Sequence, residues 1–220
     1  NMATQEFQRA RQPEQKQQRR ADILAAASVL FEEKGVEKVS LSAISRKAGI
    51  SKANVYRYFE SREEIFLHLL KDDYMEWVGD IESRLAPLAG RDDPAAVAHE
   101  VSKSLMERPR LASLASVTSS VLEHNVSEDV VVRFKTDLLP VLIRSVNALH
   151  AALPSLSVEN AREFILMFNM AITGLWHTSH PPPVVTKVLE RPEFSNMCVS
   201  WERDLERVLV VMLRGLLAGE

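Results

Sequence analysis

Apolar residues recur at helical rather than alternating spacing along nearly the whole chain. Ile23, Leu24, Ala27, Leu30 and Phe31 share one face of a helix predicted over residues 16–34, which Gly35 ends. Leu41, Ile44 and Ala48 fall at i, i+3 and i+7, giving a short second helix behind Ser40. A serine hydroxyl at that position can accept from a first-turn N–H. Gly49 follows the last periodic residue, where a left-handed backbone ends a helix without a Cβ penalty. Ser51 then caps a third short helix over 52–58, in which Val55, followed by Phe59, can reach a core. Ser61 and Glu64 form a capping box that opens a long helix over 62–85. Its apolar stripe runs through Ile65, Phe66, Leu69, Leu70, Tyr74, Trp77, Val78, Ile81 and Leu85.

Beyond Leu85 the pattern stays helical. Pro87 and the turn at 90–93 mark a break, and Pro94 suits a first helical position behind an Asp93 cap. Further helices are predicted over 94–107, from Pro109 to about Glu123, from Ser127 to about Leu153, over 158–178 and over 194–218. Pro140 lies inside one of them and should kink it. The expected fold class is all-α: an N-terminal three-helix unit over 1–62 and a larger C-terminal helical domain over 63–220.

The last two predicted helices are apolar around most of their circumference. Phe164, Phe168 and Ile172 in one, and Trp201, Leu205, Val208 and Met212 in the other, are candidates for a buried interface. A helix apolar all round must bury on two sides. Two readings fit: both helices are central core of a monomer, or one side meets a second subunit across a two-fold axis.

The stretch SLSAISRKAGISKANVYRYFESREE (40–64) has the layout of a helix-turn-helix. An ordinary αα-corner shares that layout. The second short helix nevertheless carries the chemistry of a nucleic-acid reader. Lys52 and Arg57 can neutralise phosphate, Asn54 can pair with adenine, and Tyr56 and Tyr58 can donate to phosphate oxygens. Arg62 stands in a first helical turn, against the helix dipole, and an anion there would explain it.

AGISKANVYRYFESREEI resembles the DNA-binding domain of the tetracycline-repressor (TetR) family of bacterial transcriptional regulators. Ala48, Gly49, Ser51, Lys52, Tyr56, Tyr58, Phe59, Ser61, Glu63, Glu64 and Ile65 carry the match. Two positions depart from the family pattern: Ser45 replaces the usual alanine, and Ala53-Asn54 replaces Gly-Thr. The resemblance implies a DNA-facing set of Ser42, Ser51, Lys52, Asn54, Tyr56, Arg57, Tyr58 and Arg62. It implies a homodimer on a palindromic operator of double-stranded DNA, most often a repressor released by a small effector held in the C-terminal domain. Bulky, adaptable side chains suited to an apolar effector are Trp77, Met106, Phe134, Met167, Met170 and Trp176, though such stripes also simply pack. A DNA-binding protein that ignores small molecules is the alternative.

Charge agrees with a basic reader on an acidic body. Residues 1–60 hold 11 Lys and Arg against 7 Asp and Glu, a net of +4, whereas residues 61–220 hold 16 against 23, a net of −7. The arm over 8–20, rich in Arg and Gln, is either a solvated tail or a source of further phosphate contacts. Cys198 is the one cysteine, expected as a small buried residue of the last helix, and a reducing cytoplasm suits it. The N-terminus is polar and basic, unlike a secretory leader, and no apolar run approaches a membrane span. His177 and His180 could share a helix face as metal ligands of a helical enzyme, but no carboxylate or third histidine stands close by. No phosphate loop or nucleophile elbow occurs, so neither enzyme, cofactor nor metal is expected.

Overall fold

The computed structural model describes residues 2–219, with side chains from Glu14 onward. Among these residues every regular element is helical. The first part of the basic arm therefore lies outside the described side chains. The chain divides into two compact units, residues 1–69 with 120–131, and residues 70–119 with 132–220. The first division falls inside a helix rather than at its start.

The N-terminal unit comprises α1 (Met2–Lys34), a 3-10 turn (Val36–Lys38), α2 (Leu41–Lys47), α3 (Lys52–Val55) and the part of α4 (Arg62–Leu85) up to Leu69. Ile23, Ala27, Ile44, Val55, Phe59 and Phe66 form its core, none more than 1% exposed. Phe31 meets Phe66 edge-on, with ring centroids 6.1 Å apart. The hydroxyls of Ser40, Ser51 and Ser61 accept from the N–H groups of Ala43, Asn54 and Glu64 at 3.1–3.2 Å. Glu64 reciprocates one residue upstream of the usual box, its Oε2 accepting from the Glu60 N–H at 2.6 Å. Gly49 takes φ +68°, as the turn between α2 and α3 requires. Ser45, the departure at a packing position, is buried and donates to the Ser42 carbonyl at 3.1 Å, so its hydroxyl is satisfied within α2.

α3 is shorter than its sequence suggests, because regular helix ends at Val55 and Tyr56, Arg57 and Tyr58 lie in turns. Four residues cannot sustain a helix in water. Burial of Val55 and Phe59, with the Phe59 N–H bonded to the Val55 carbonyl at 3.1 Å, holds the segment instead.

The C-terminal unit holds the rest of α4, α5 (Pro94–Met106), α6 (Pro109–Val117), α7 (Glu128–Ala152) from Val132, α8 (Val158–Ser179), α9 (Pro183–Leu189) and α10 (Trp201–Ala218). α10 packs on α5 and α8, and α6 packs on α8. α5 opens with Pro94 behind Asp93, whose carboxylate accepts from the N–H groups of Ala95 and Ala96. α6 stops at Val117, earlier than periodicity suggests, and gives way to a π-turn (Thr118–Leu122) and a 3-10 turn (Glu123–Asn125). At that point the Thr118 hydroxyl takes the Leu114 carbonyl at 2.8 Å, and two serines follow. Such side chains compete with regular helical bonding. Pro140 lies within a continuous α7. Its missing N–H leaves the Thr136 carbonyl without a helical donor, but both residues are exposed, so water can serve it.

Two expectations are corrected at the C-terminal end. The last helix begins at Trp201 behind the Ser200 cap, because Pro192–Met197 forms a 3-10 helix of its own. Cys198 consequently sits exposed ahead of α10 rather than buried within it.

Candidate nucleic-acid interface and body cavity

Ser42, Ser51, Lys52, Asn54, Tyr56 and Arg57 are all exposed on α2, α3 and the turn that follows, and Tyr58 is half-buried beside them. The structure thus gathers seven of the eight expected DNA-facing residues on one short stretch of surface. Ser51 is already occupied as the α3 cap, so its part is to shape the helix start. The Lys52 ammonium lies 5.9 Å from the Tyr56 ring centre, and that ring is 52% exposed.

Arg62 is the exception. Its Nη1 donates to the carbonyls of Val36 and Val39 at 3.2 and 2.8 Å, and its Nε and Nη2 reach Glu63 Oε1 at 3.0 and 2.6 Å. The anion that its position calls for is supplied by its own neighbour. The guanidinium ties the turn after α1 to the start of α4 and commits four of its five N–H groups within the protein.

Two further residues hold the reading surface and escaped the sequence reading. Arg20 lies 4.4 Å over the Phe59 ring, donates to the Tyr58 carbonyl at 3.3 Å and bonds to His68 Nε2. Its signal was present: Arg20 extends the Ile23–Ala27 face by one turn (i, i+3, i+7), which places a cation on the core side. Glu60 accepts from both the N–H and the hydroxyl of Ser127, at 2.6 and 2.8 Å, so segment 120–131 is fastened to the turn after α3. No local pattern could reveal a contact between residues so far apart in the chain.

Beside α3, an open polar groove is bounded by Gln15, Lys16 and Arg19 of α1 and by Arg57 and Tyr58. Asp22, the one carboxylate on its wall, is occupied by Gln18 at 2.9 Å and by Arg19 at 3.7 Å. The groove is cationic and continuous with the reading face.

The C-terminal unit contains a cavity of about 340 Å³ between α4, α5, α7 and α8. Its wall is mostly Leu, Ile, Val and Phe, with Trp77 from α4 stacked on Phe168 from α8 at 5.6 Å and 7°. Trp77 is held by its indole N–H, which donates to Ser104 Oγ at 3.1 Å. Ser104 in turn donates to Asp80 Oδ2 at 2.5 Å, and Arg84 and Arg108 reach the same oxygen at 2.8 and 3.0 Å. Burial pushes the Asp80 carboxyl up, but the Ser104 hydroxyl and the two guanidiniums outweigh it and hold the group below the usual carboxylate range. Tyr74, also on the wall, donates to Asn169 Oδ1 at 3.2 Å, and burial pushes its phenol well above the ordinary value.

Of the residues expected in an effector pocket, Trp77 lines this cavity and the other five do not. Phe134 is buried away from it, Met106 and Met167 are half-buried elsewhere, and Met170 is 67% exposed. Trp176 packs edge-on against Trp201 at 5.2 Å. Helical spacing marks a face but not which neighbour the face meets. The α8 residues turned to the cavity include Phe164, Phe168 and Asn169.

The expected interface residues are also placed differently. Phe164, Phe168, Ile172, Trp201, Leu205 and Met212 are buried within their own unit, none more than 9% exposed, and Val208 is half-buried. The most exposed apolar side chains on these two helices are Leu166, Met170 and Val211, each more than 60% exposed. Each helix is thus two-faced, with its larger residues committed inward. His177 lies 3.3 Å from the Ser116 carbonyl, and His180 stacks on Trp176 at 4.0 Å. Among the described residues no three His, Cys, Asp or Glu side chains converge as metal ligands, and no helix is long and apolar enough to cross a membrane.

A capped helix-turn-helix with a cationic outer face, carried on a larger helical body with a cavity, defines a DNA-binding transcriptional regulator. Residues 23–69 match the family described as "Bacterial regulatory proteins, tetR family", and residues 71–220 match "Tetracyclin repressor-like, C-terminal domain". The chain belongs to the TetR family, whose members are regulators and not enzymes. Among relatives, the HTH-type transcriptional regulator YfiR of Bacillus subtilis is 38% identical over 58 residues, 26% of this chain and 28% of that one. The HTH-type transcriptional regulator RutR of Escherichia coli is 28% identical over 103 residues, 46% of this chain and 49% of that one. The matches thus span at most about half the length of these relatives. The fold is shared with a TetR-family regulator of Mesorhizobium loti (TM-score 0.56, 16% identity, covering 93% of this chain and 97% of that one). It is also shared with the fatty acid degradation regulator FadR of Bacillus halodurans (TM-score 0.54, 15% identity, covering 91% and 95%).

Proposed function

We propose that this regulator is a homodimeric repressor that reads a palindromic operator and is released when a small apolar effector enters the body cavity. The observation that carries the effector reading is the cavity of about 340 Å³, within the size range of small-molecule sites. A regulator that ignored small molecules would have no use for such a space, and the family's usual mode of action agrees. In this reading Ser42, Lys52, Asn54, Tyr56, Arg57 and Tyr58 meet the major groove and its phosphates. Ser51 shapes the helix start, and Lys16 and Arg19 extend the phosphate-binding surface along α1. The exposed Leu166, Met170 and Val211 supply the contact with a second copy, an isologous patch across a two-fold axis. Two heads about 34 Å apart would then enter successive major grooves. The protein acts in the cytoplasm, where bacterial operators lie.

Release follows from the continuity of α4, one helix from Arg62 to Leu85. Tyr74 and Trp77 on the cavity wall share it with Arg62 and Glu64, which hold the reading head. A ligand that favours a shifted α4 favours a head spacing that no longer fits the operator, and the effect is no larger than its differential affinity for the two states. The test is selection of a duplex from a randomised pool, followed by native mass spectrometry of the complex. Two protein copies on one palindrome are expected, and the variant Met170→Asp with Val211→Asp should be monomeric. Recovery of an unrelated, non-palindromic site by a single copy would defeat the dimer reading.

A further inference from the structure

The cavity wall also restricts what can occupy it, and the following inference rests on the effector reading only for its regulatory meaning. Among the polar side chains on the wall, two already serve each other. Tyr74 donates to Asn169 Oδ1 at 3.2 Å, and the Asn169 amide nitrogen donates to the Ile165 carbonyl at 2.8 Å. Lys135 contributes at the rim, where its residue is exposed and its ammonium lies 5.9 Å from the Phe134 ring centre. No carboxylate lines the space. Ser145 of α7 is different. It is 8% exposed and lines the cavity, and its hydroxyl, with no hydrogen bond to a described residue, is reached by solvent. A ligand oxygen that pairs with it exchanges a hydrogen bond to water for one within the apolar space, a modest net gain.

We infer that the cavity takes an uncharged amphiphile: an apolar body with a single hydroxyl or carbonyl oxygen that pairs with Ser145. A cation would enter without a counter-charge, and an isolated ion in an apolar site carries a heavy desolvation penalty. An anion would have to leave its charge at the Lys135 rim and would leave Ser145 unserved. At liquid-like packing of roughly 30 Å³ per non-hydrogen atom, the space holds a molecule of on the order of ten such atoms.

The experiment uses the full chain and four matched probes: decane, decan-1-ol, decanoate and decylammonium, each titrated calorimetrically and scored for its shift in Tm. Decan-1-ol should bind at least about tenfold more tightly than decanoate or decylammonium. Ser145→Ala should weaken decan-1-ol about two- to tenfold, the range of one net hydrogen bond, and leave decane unchanged. Ser145→Thr, which keeps the hydroxyl, controls for misfolding and should retain the preference. Tighter binding of decanoate, equal binding of all four, or no binding by any would overturn the inference. If decan-1-ol binds with the expected Ser145 dependence while operator affinity stays constant, the release mechanism fails and the chemistry of the cavity stands.

Discussion

The two units handle buried polarity in opposite ways. In the N-terminal unit every polar group named at the core's edge is tied to another part of the same unit. Arg62 clamps the carbonyls of Val36 and Val39, Arg20 clamps Tyr58, Ser45 bonds within α2, and Glu64 closes the turn before α4. On α2, α3 and the turn after them, the exposed side chains include Ser42, Lys52, Asn54, Tyr56 and Arg57, with phosphate and base chemistry. In the C-terminal unit a comparable network around Asp80 fixes Trp77, yet the space beside that ring is left unfilled and Ser145 unpaired. A reader of DNA gains from a rigid surface set before the encounter. A receptor gains from an incomplete core, because a well-packed interior has no site to offer.

The contrast can be broken most severely at Phe59. It is 1% exposed beneath the reading turn, so Phe59→Ala should cost about 3–5 kcal/mol. Urea denaturation would show the loss, and operator binding should disappear while the cavity still takes its ligand. Loss of both together would mean that the units do not fold as separate bodies.

Arg62→Ala should cost about 1–3 kcal/mol by orphaning two carbonyls and Glu63. The dependence of DNA affinity on salt should stay as steep as in the parent. A shallower slope would return Arg62 to the phosphate-contacting set.

Lys52→Ala and Arg57→Ala should do the reverse, leaving the urea midpoint in place and weakening operator binding by about tenfold each. Each should lower the log–log salt slope by about 0.9. Applied to Lys16→Ala and Arg19→Ala, the same measurement asks whether the groove along α1 belongs to the interface.

The smallest effect concerns acid. Asp80 has a folded pKa below its unfolded value of about 3.9, so its contribution is present above that value and is lost as pH falls toward the folded pKa. The urea midpoint of the C-terminal unit should therefore drop as pH is lowered from about 5 to about 3, and Asp80→Asn should flatten that part of the profile. An unchanged profile would remove Asp80 from the network that sets Trp77.

Much of the head was legible because its signals are local. Caps at Ser40, Ser51 and Ser61 act on N–H groups three residues away, Gly49 answers to its own φ, and the exposed set follows from one helix period. Arg62 shows the limit of local reasoning: its place in a first turn called for an anion, and only the packed neighbourhood showed that Glu63 and two carbonyls already met the need. In the body, periodicity marked α8 and α10 as apolar but could not rank their faces. Phe168 and Met170 are two residues apart, yet one stacks on Trp77 and the other stands 67% exposed.

The sequence by itself therefore determined the all-helical fold, the positions of the caps and turns, and the chemistry of the reading face, since each depends on residues within a few positions of one another. Only the tertiary structure decided which apolar residues fill the core, which stay exposed, and where a cavity is left open. Those outcomes depend on how α4, α5, α7 and α8 meet, and no spacing within a single helix records the shape of its neighbours.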